Sequence, residues 1–276
     1  MKKRGIDKGT LTGILLSVFG VVAGLWLEGG SLLQILQPTA ALIVLVGTLG
    51  AILMQYPSQT VKEAALATRD VLHYRSAMTQ DFLEQIIAYG NQVRRQGWMS
   101  LDSRLDQVED VFLRKCLTLA VDGVDVENLR AAMEIDLDLY QEKDERLIGV
   151  LEAAGGFAPT LGIIGAVLGL IQVMQKMENL SEIGKGIAVA FVSTLYGIGF
   201  ANLVFLPCAG RLRVRSRERQ LIREMTLEAV VFMIEGISAR GLRERLQGYI
   251  AAGAIHVSAE AEIQSLMQAK AELHSL

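Results

Sequence analysis

Charged residues are missing from four stretches of the chain: between Lys8 and Glu28, between Glu28 and Lys62, between Glu152 and Lys176, and between Lys185 and Arg211. Crossing a bilayer takes about 20 predominantly apolar residues. The first, third and fourth stretches each fit one crossing. The second contains Gly29–Gly30 and Pro38, which confine its apolar part to 39–56. The pattern predicts four transmembrane helices, at 10–27, 39–56, 153–174 and 187–206. The N-terminal MKKRGIDKG before an apolar run has the look of a secretory signal. The run is long for one, however, and no small-x-small cleavage site precedes LWLEGG, so it is read as a retained first span.

Between and after the spans the pattern turns amphipathic. Phe82, Ile86, Ile87 and Val93 recur with a 3.6-residue period, as do Val108, Val111, Phe112, Cys116 and Leu119. The segment DVENLRAAMEIDLDLYQEKDERLIGVLEAA has few breakers and runs straight into the third span. The helix predicted over Arg211–Ile237 continues the fourth. Lys and Arg cluster in the N-terminal tail, in the middle segment and after residue 210, while the 28–38 connection has none. The positive-inside rule therefore puts both termini and the middle segment in the cytoplasm. An even number of spans agrees.

The expected fold is an all-α integral membrane protein in four parts. These are a first transmembrane hairpin (1–56), a cytoplasmic helical insert (57–146), a second transmembrane hairpin (147–210) and a cytoplasmic C-terminal helical tail (211–276). All four prolines, Pro38, Pro57, Pro159 and Pro207, fall inside a span or near its end, where a helix bends or stops.

Composition narrows the function. Over 276 residues, 51% are apolar and 21% charged, a mixture that fits segregated polarity. Net charge of −3 gives no reason to expect nucleic-acid binding. Cys116 and Cys208 lie far apart on the predicted cytoplasmic side, so no disulfide is implied. His73, His256 and His274 are too scattered for a metal site. No nucleophile–base pair or phosphate loop is present, so no enzyme and no cofactor is expected. RLRVRSRER after the fourth span is either an ordinary positive-inside stop or a contact for anionic lipid headgroups.

No charged residue sits at depth in a span. A protein that moves protons alone normally keeps an ionisable group mid-membrane. Here only hydroxyls are available: Thr48, Thr160, Ser193, Thr194 and Tyr196. Either the chain moves no ions or a partner supplies the carboxylate. Small residues repeat at four-residue spacing: Gly20 and Gly24 in the first span, Gly165 and Gly169 in the third, Gly197 and Ala201 in the fourth. Such pairs allow close helix approach in lipid. Their recurrence in three spans points to self-association as a ring of subunits. Pro159, flanked by Gly155, Gly156 and Gly162, is either a hinge between two conformations or a static kink; the carbonyl it frees must be satisfied by neighbours, water or a hydroxyl, and Thr160 is adjacent.

GFAPTLGIIGAVLGLI followed by IGKGIAVAFVSTLYGIGFANLVFLP resembles the A subunit of the bacterial flagellar motor stator, the MotA/PomA family. The third-span run is shared with the ExbB/TolQ energy transducers. The fourth span, with Thr-Leu-Tyr-Gly, Ala-Asn and a closing Pro, is similar to stators alone, and LEGGSLLQILQPTAALIVLVGTLGA is similar to the first hairpin of one branch. VRRQGWMSLD resembles the family's Arg-x-x-Gly-x-x-x-Leu-Glu, with Asp102 in place of Glu and one methylene less reach. The resemblance covers the chain to about residue 250. It implies a homopentamer around two copies of a MotB-type B subunit, whose single span brings the missing Asp. It implies an inner-membrane ion channel that turns the rotor protein FliG through Arg94 and Asp102. Pro159 and Pro207 correspond to prolines tied to conformational coupling, and Thr194 to an ion-path hydroxyl, with Thr160 also available. Sodium-driven members tend to carry Thr after the third-span Gly. Here Ala166 follows Gly165, and alanine offers no oxygen to a hard cation. Protons are favoured, with sodium left open by Thr160 and Thr194. The alternatives are an ExbB/TolQ-like transducer serving another envelope process, and a scaffold that conducts nothing.

Overall fold

The computed structural model describes residues 5–6, 8–30, 35–71, 73–74, 80–175 and 180–249. The tail after 250, including His256 and His274, and the basic residues Lys2, Lys3, Arg4 and Lys176 lie outside them. Ten helices carry the described chain: α1 (Lys8–Leu27), α2 (Pro38–Gln55), α3 (Ser58–Val71), α4 (Gln80–Gln96), α5 (Met99–Asp102), α6 (Val111–Val121), α7 (Val126–Gln175), α8 (Leu180–Phe200), α9 (Leu206–Ile234) and α10 (239–249). One antiparallel pair of two-residue strands, β1 (Gly5–Ile6) and β2 (His73–Tyr74), is the only extended pairing among the described residues.

Three helical stretches are long and apolar enough to cross a membrane: Pro38–Gln55, Val126–Gln175 and Ile183–Ile234. Leu15–Leu27 within α1 is a shorter apolar helix. The predicted third and fourth spans are therefore parts of much longer helices. α7 runs 50 residues without a break and carries Pro159 inside it. α8 passes into α9 through a π-turn at Ala201–Phe205.

The chain forms two compact units. One comprises residues 1–75 and 143–213, so both apolar hairpins belong to it. α3 belongs to it too, although the sequence pattern groups 57–71 with the insert; there Glu63 pairs with Lys143 at 3.3 Å. The other unit comprises 76–142 and 214–276, so the insert and the tail share one core. Leu83, Ile86 and Ile87 of α4 meet Phe112, Leu113, Cys116 and Leu117 of α6, with Met133, Met225, Val230, Leu242 and Leu246. Burying each such side chain contributes about 1.5–3 kcal/mol.

The α4 stripe is close to the predicted one, with Leu83 rather than Phe82 fully buried. On α6 the stripe is offset. Val111 is 64% exposed, while Leu113 and Leu117 are buried. The reason lies at the helix start. Asp110 is the N-cap and accepts a bond from the Leu113 N–H at 2.8 Å. That cap fixes Val111 as the first helical residue, on the outer side of the turn.

Candidate functional site

The site in the first unit is the seam between α7 and α8. Gly155, Ala158, Gly162, Gly165 and Gly169 recur at alternating spacings of three and four, which line one face of a helix. Opposite them stand Gly186, Ala190, Ser193, Gly197 and Ala201, with Leu206 beyond. The approach is tight throughout. A Cβ on Gly169 would stand 2.7 Å from the Gly186 carbonyl oxygen. One on Gly165 would stand 2.6 Å from the Ser193 hydroxyl, and one on Gly197 would stand 2.5 Å from the Ala158 carbonyl oxygen. These glycines are weak helix formers, and here the backbones touch because they lack side chains.

This seam lies within one chain. It revises the reading of the small residues in the third and fourth spans as contacts between copies: Gly165, Gly169, Gly197 and Ala201 are occupied inside the hairpin. Gly20 and Gly24 are different, since a Cβ on either meets nothing within 4 Å.

The hydroxyls divide by environment. Thr194, half-buried, donates to the Ala190 carbonyl at 3.3 Å. Thr160 is exposed and donates to the Phe157 carbonyl at 2.8 Å. A hydroxyl has one proton to give, so Thr160 does not bond the Gly155 carbonyl that Pro159 leaves without its usual donor. Of the partners the sequence leaves open for that carbonyl, the adjacent hydroxyl is not the one used. Ala166 is half-buried. Ser193 is fully buried, and its Oγ has no hydrogen-bond partner. The sequence lists it among the span hydroxyls but gives no sign that it is unpaired. Tyr196 donates to the Ile35 carbonyl at 2.7 Å and accepts from the Gln37 N–H at 3.4 Å, which ties the start of α2 to α8.

Helix irregularities gather at one level. α2 contains a π-turn at Leu42–Val46, where the Thr48 hydroxyl donates to the Val44 carbonyl at 2.6 Å. At the second π-turn the Leu206 N–H reaches back five residues to the Ala201 carbonyl. Pro207 follows it directly and is exposed. Val44, Ala158 and Ala201, one from each of α2, α7 and the second π-turn, form a single buried cluster beside Pro159. π-turns are frequent at functional positions. Neither was visible in the sequence, because a one-residue insertion in the helical ladder leaves apolar periodicity almost unchanged.

The second unit holds the corner of VRRQGWMSLD. Arg94 is exposed in the last turn of α4. Gly97 has φ +79°, a left-handed conformation that closes the helix with its N–H on the Val93 carbonyl at 2.7 Å. Leu101 is buried and anchors α5, and Asp102 beside it is exposed. The spacing of the motif thus becomes geometry: a presented cation, a turn that needs glycine, an apolar anchor and a presented anion. Among the described residues, no group of three His, Cys, Asp or Glu side chains is placed to hold a metal ion.

Residues 104–225 match the MotA/TolQ/ExbB proton channel family, and residues 11–97 match the Motility protein A N-terminal family. The chain is 30% identical to Motility protein A of Bacillus subtilis over 90% of this chain and 92% of that one. The fold is similar to the structure of C. jejuni MotAB, with TM-score 0.82 and 27% identity over 88% of this chain and 96% of that one. It is likewise similar to the flagellar MotAB stator complex of Bacillus subtilis, with TM-score 0.79 and 30% identity over the same shares. With a small-residue hairpin, an Arg-Gly-Leu-Asp corner and relatives matched almost end to end, the chain belongs to the Motility protein A branch of the MotA/TolQ/ExbB proton channel family.

Proposed function

We propose that the protein is the A-type stator subunit of a flagellar motor, which forms with a MotB-type subunit an inner-membrane ion channel and turns the rotor. The observation that carries this reading is the chain-long agreement with the two MotAB structures, which spans both the hairpin unit and the cytoplasmic unit. The match of residues 11–97 to the Motility protein A N-terminal family favours a stator over the transducer branch.

In this reading α1 is a fourth span, the termini are cytoplasmic, and five copies in contact with lipid surround two B-subunit helices. The B subunit brings the aspartate that these spans lack. Protonation neutralises it and removes the penalty of exposing a charge to the apolar ring interior. Thr194 and Thr160 line the path beside Ala166, and the proton is the favoured ion. Pro159 and Pro207, next to the two π-turns, let α7 and α9 change direction as the aspartate changes charge. Arg94 and Asp102 then push FliG through exposed charge pairs, each worth about 0.2–1 kcal/mol. Weak contacts of this kind suit repeated making and breaking.

The test is rotation of tethered cells after deletion of the gene, with any second stator set also deleted. Rotation that stops and returns on re-expression supports the reading. Rotation that persists in the double deletion points to an envelope process other than swimming.

A further inference from the structure

The corner that carries Arg94 and Asp102 is tied by a residue with no assigned role. α5 has four residues, too few to hold its place through its own ladder. Leu101 anchors it in the core, with Trp98 before it and Leu105 after it packed in the same cluster, but apolar contacts have no preferred direction. Gln92, on α4, supplies the directional constraint. Its Nε2 donates to the Ser100 carbonyl at 2.8 Å and lies 3.4 Å from the Ser100 hydroxyl. Its Oε1 accepts from Arg104 Nη1 at 3.0 Å. One amide therefore uses its donor on α5 and its acceptor on the residue chain that leaves α5. Backbone bonds close the rest of the corner, with the Ser100 N–H on Gly97 at 3.2 Å and the Arg104 N–H on Leu101 at 2.8 Å.

We propose that Gln92 is a positioning residue for the rotor-facing charges: it fixes Asp102 relative to Arg94 without touching the rotor itself. The proposal rests on the reading of Arg94 and Asp102 given above. Arg94 lies two residues past Gln92, about 200° round the helix, so it faces away from the tied corner and stays free for a partner. Exposed charge pairs are individually weak and sensitive to placement. Charges already held in position spare the cost of ordering a loop at each encounter. Glutamine suits the task because its planar amide is donor and acceptor at once. Alanine offers neither.

The test uses the full chain expressed with its B subunit in cells lacking their own copy. Gln92→Ala is expected to leave membrane abundance, co-purification of the B subunit and melting temperature at wild-type levels, while torque falls several-fold. Gln92→Glu keeps the acceptor for Arg104 but sets a carboxylate against the Ser100 carbonyl, and is expected to lose torque as well. Combined with Asp102→Ala, Gln92→Ala should add less than the product of the two single effects, because the charge it places is gone. Wild-type torque in Gln92→Ala overturns the proposal. So does a torque loss that tracks falling abundance or melting temperature, or a fully multiplicative double variant. Unchanged torque in both Arg94→Ala and Asp102→Ala defeats the rotor-contact reading, and the proposal with it; those variants report on the reading without reference to Gln92.

Discussion

Gly165 and Ser193 face each other where α7 and α8 are closest. A methyl on Gly165 would stand 2.6 Å from both Cβ and Oγ of Ser193, so one side must give way. Overpacking a tight contact typically costs about 1–3 kcal/mol. Gly165→Ala should lower the melting temperature of the purified complex. Ser193→Gly should restore it, because both clashing atoms are removed. Ser193→Ala alone is expected to be neutral or mildly stabilising, since its hydroxyl has no partner to lose and its burial carries a desolvation cost. A large loss of stability in Ser193→Ala would show that the hydroxyl is bonded after all. Cys116 is the other residue whose environment sets its chemistry. Burial, then the charges of Asp110 and Asp136, push its thiol up to about 12. An unfolded thiol ionises near 8.5. The neutral thiol thus contributes stability that is fully present below about 8.5 and is lost as pH rises toward about 12. Alkylation of Cys116 at pH 8 should be slow in the folded protein and fast in denaturant. Rapid labelling of the native protein would contradict the buried placement.

At the scale of elements, Pro159 is the informative position. It sits inside an unbroken 50-residue helix and cannot donate to the Gly155 carbonyl. The Thr160 hydroxyl is spent on Phe157. Pro159→Ala returns the missing ladder bond, and a helix-interior proline costs up to about 3 kcal/mol against alanine. The variant is expected to melt higher and turn the motor less, a trade of stability against motion. Calorimetry of the complex and rotation of tethered cells check both halves; wild-type torque in Pro159→Ala would leave the proline a static kink. The elements were the most legible part of the sequence. Absence of charge placed 39–56 and 153–174 within or next to the apolar helices observed, because burying charge in lipid is too costly to permit exceptions. The phase of α6 was not legible, since a cap at Asp110 decides which face Val111 takes. The partner of the small residues was hidden for a related reason. Four-residue spacing states that a backbone is approached, and only the three-dimensional pairing of Gly165 with Ser193 states by which helix.

At the scale of the whole molecule, the remaining question is which ion this hairpin serves. The seam brings no carboxylate of its own, and the described hydroxyls beside it are committed or enclosed. Thr194 donates to Ala190, Thr160 to Phe157, and Ser193 is buried against Gly165. A hydroxyl that donates to its own helix keeps lone pairs for a cation, but a hard cation that sheds its water needs several oxygen ligands at once. Ala166 withholds one at the position after Gly165. A proton needs only a relay to an acceptor, which the proposed function places on the B subunit. Motor speed is therefore expected to persist when sodium is replaced by potassium at constant pH, and to fall when the proton gradient is collapsed. Ala166→Thr adds an oxygen at the half-buried position and tests whether ligand supply is the limit. Speed that becomes sodium-responsive in this variant shows that the path was one oxygen short. If the unaltered protein stops without sodium, Thr160 and Thr194 already complete a cation site, and the inference from Ala166 fails while the stator assignment stands.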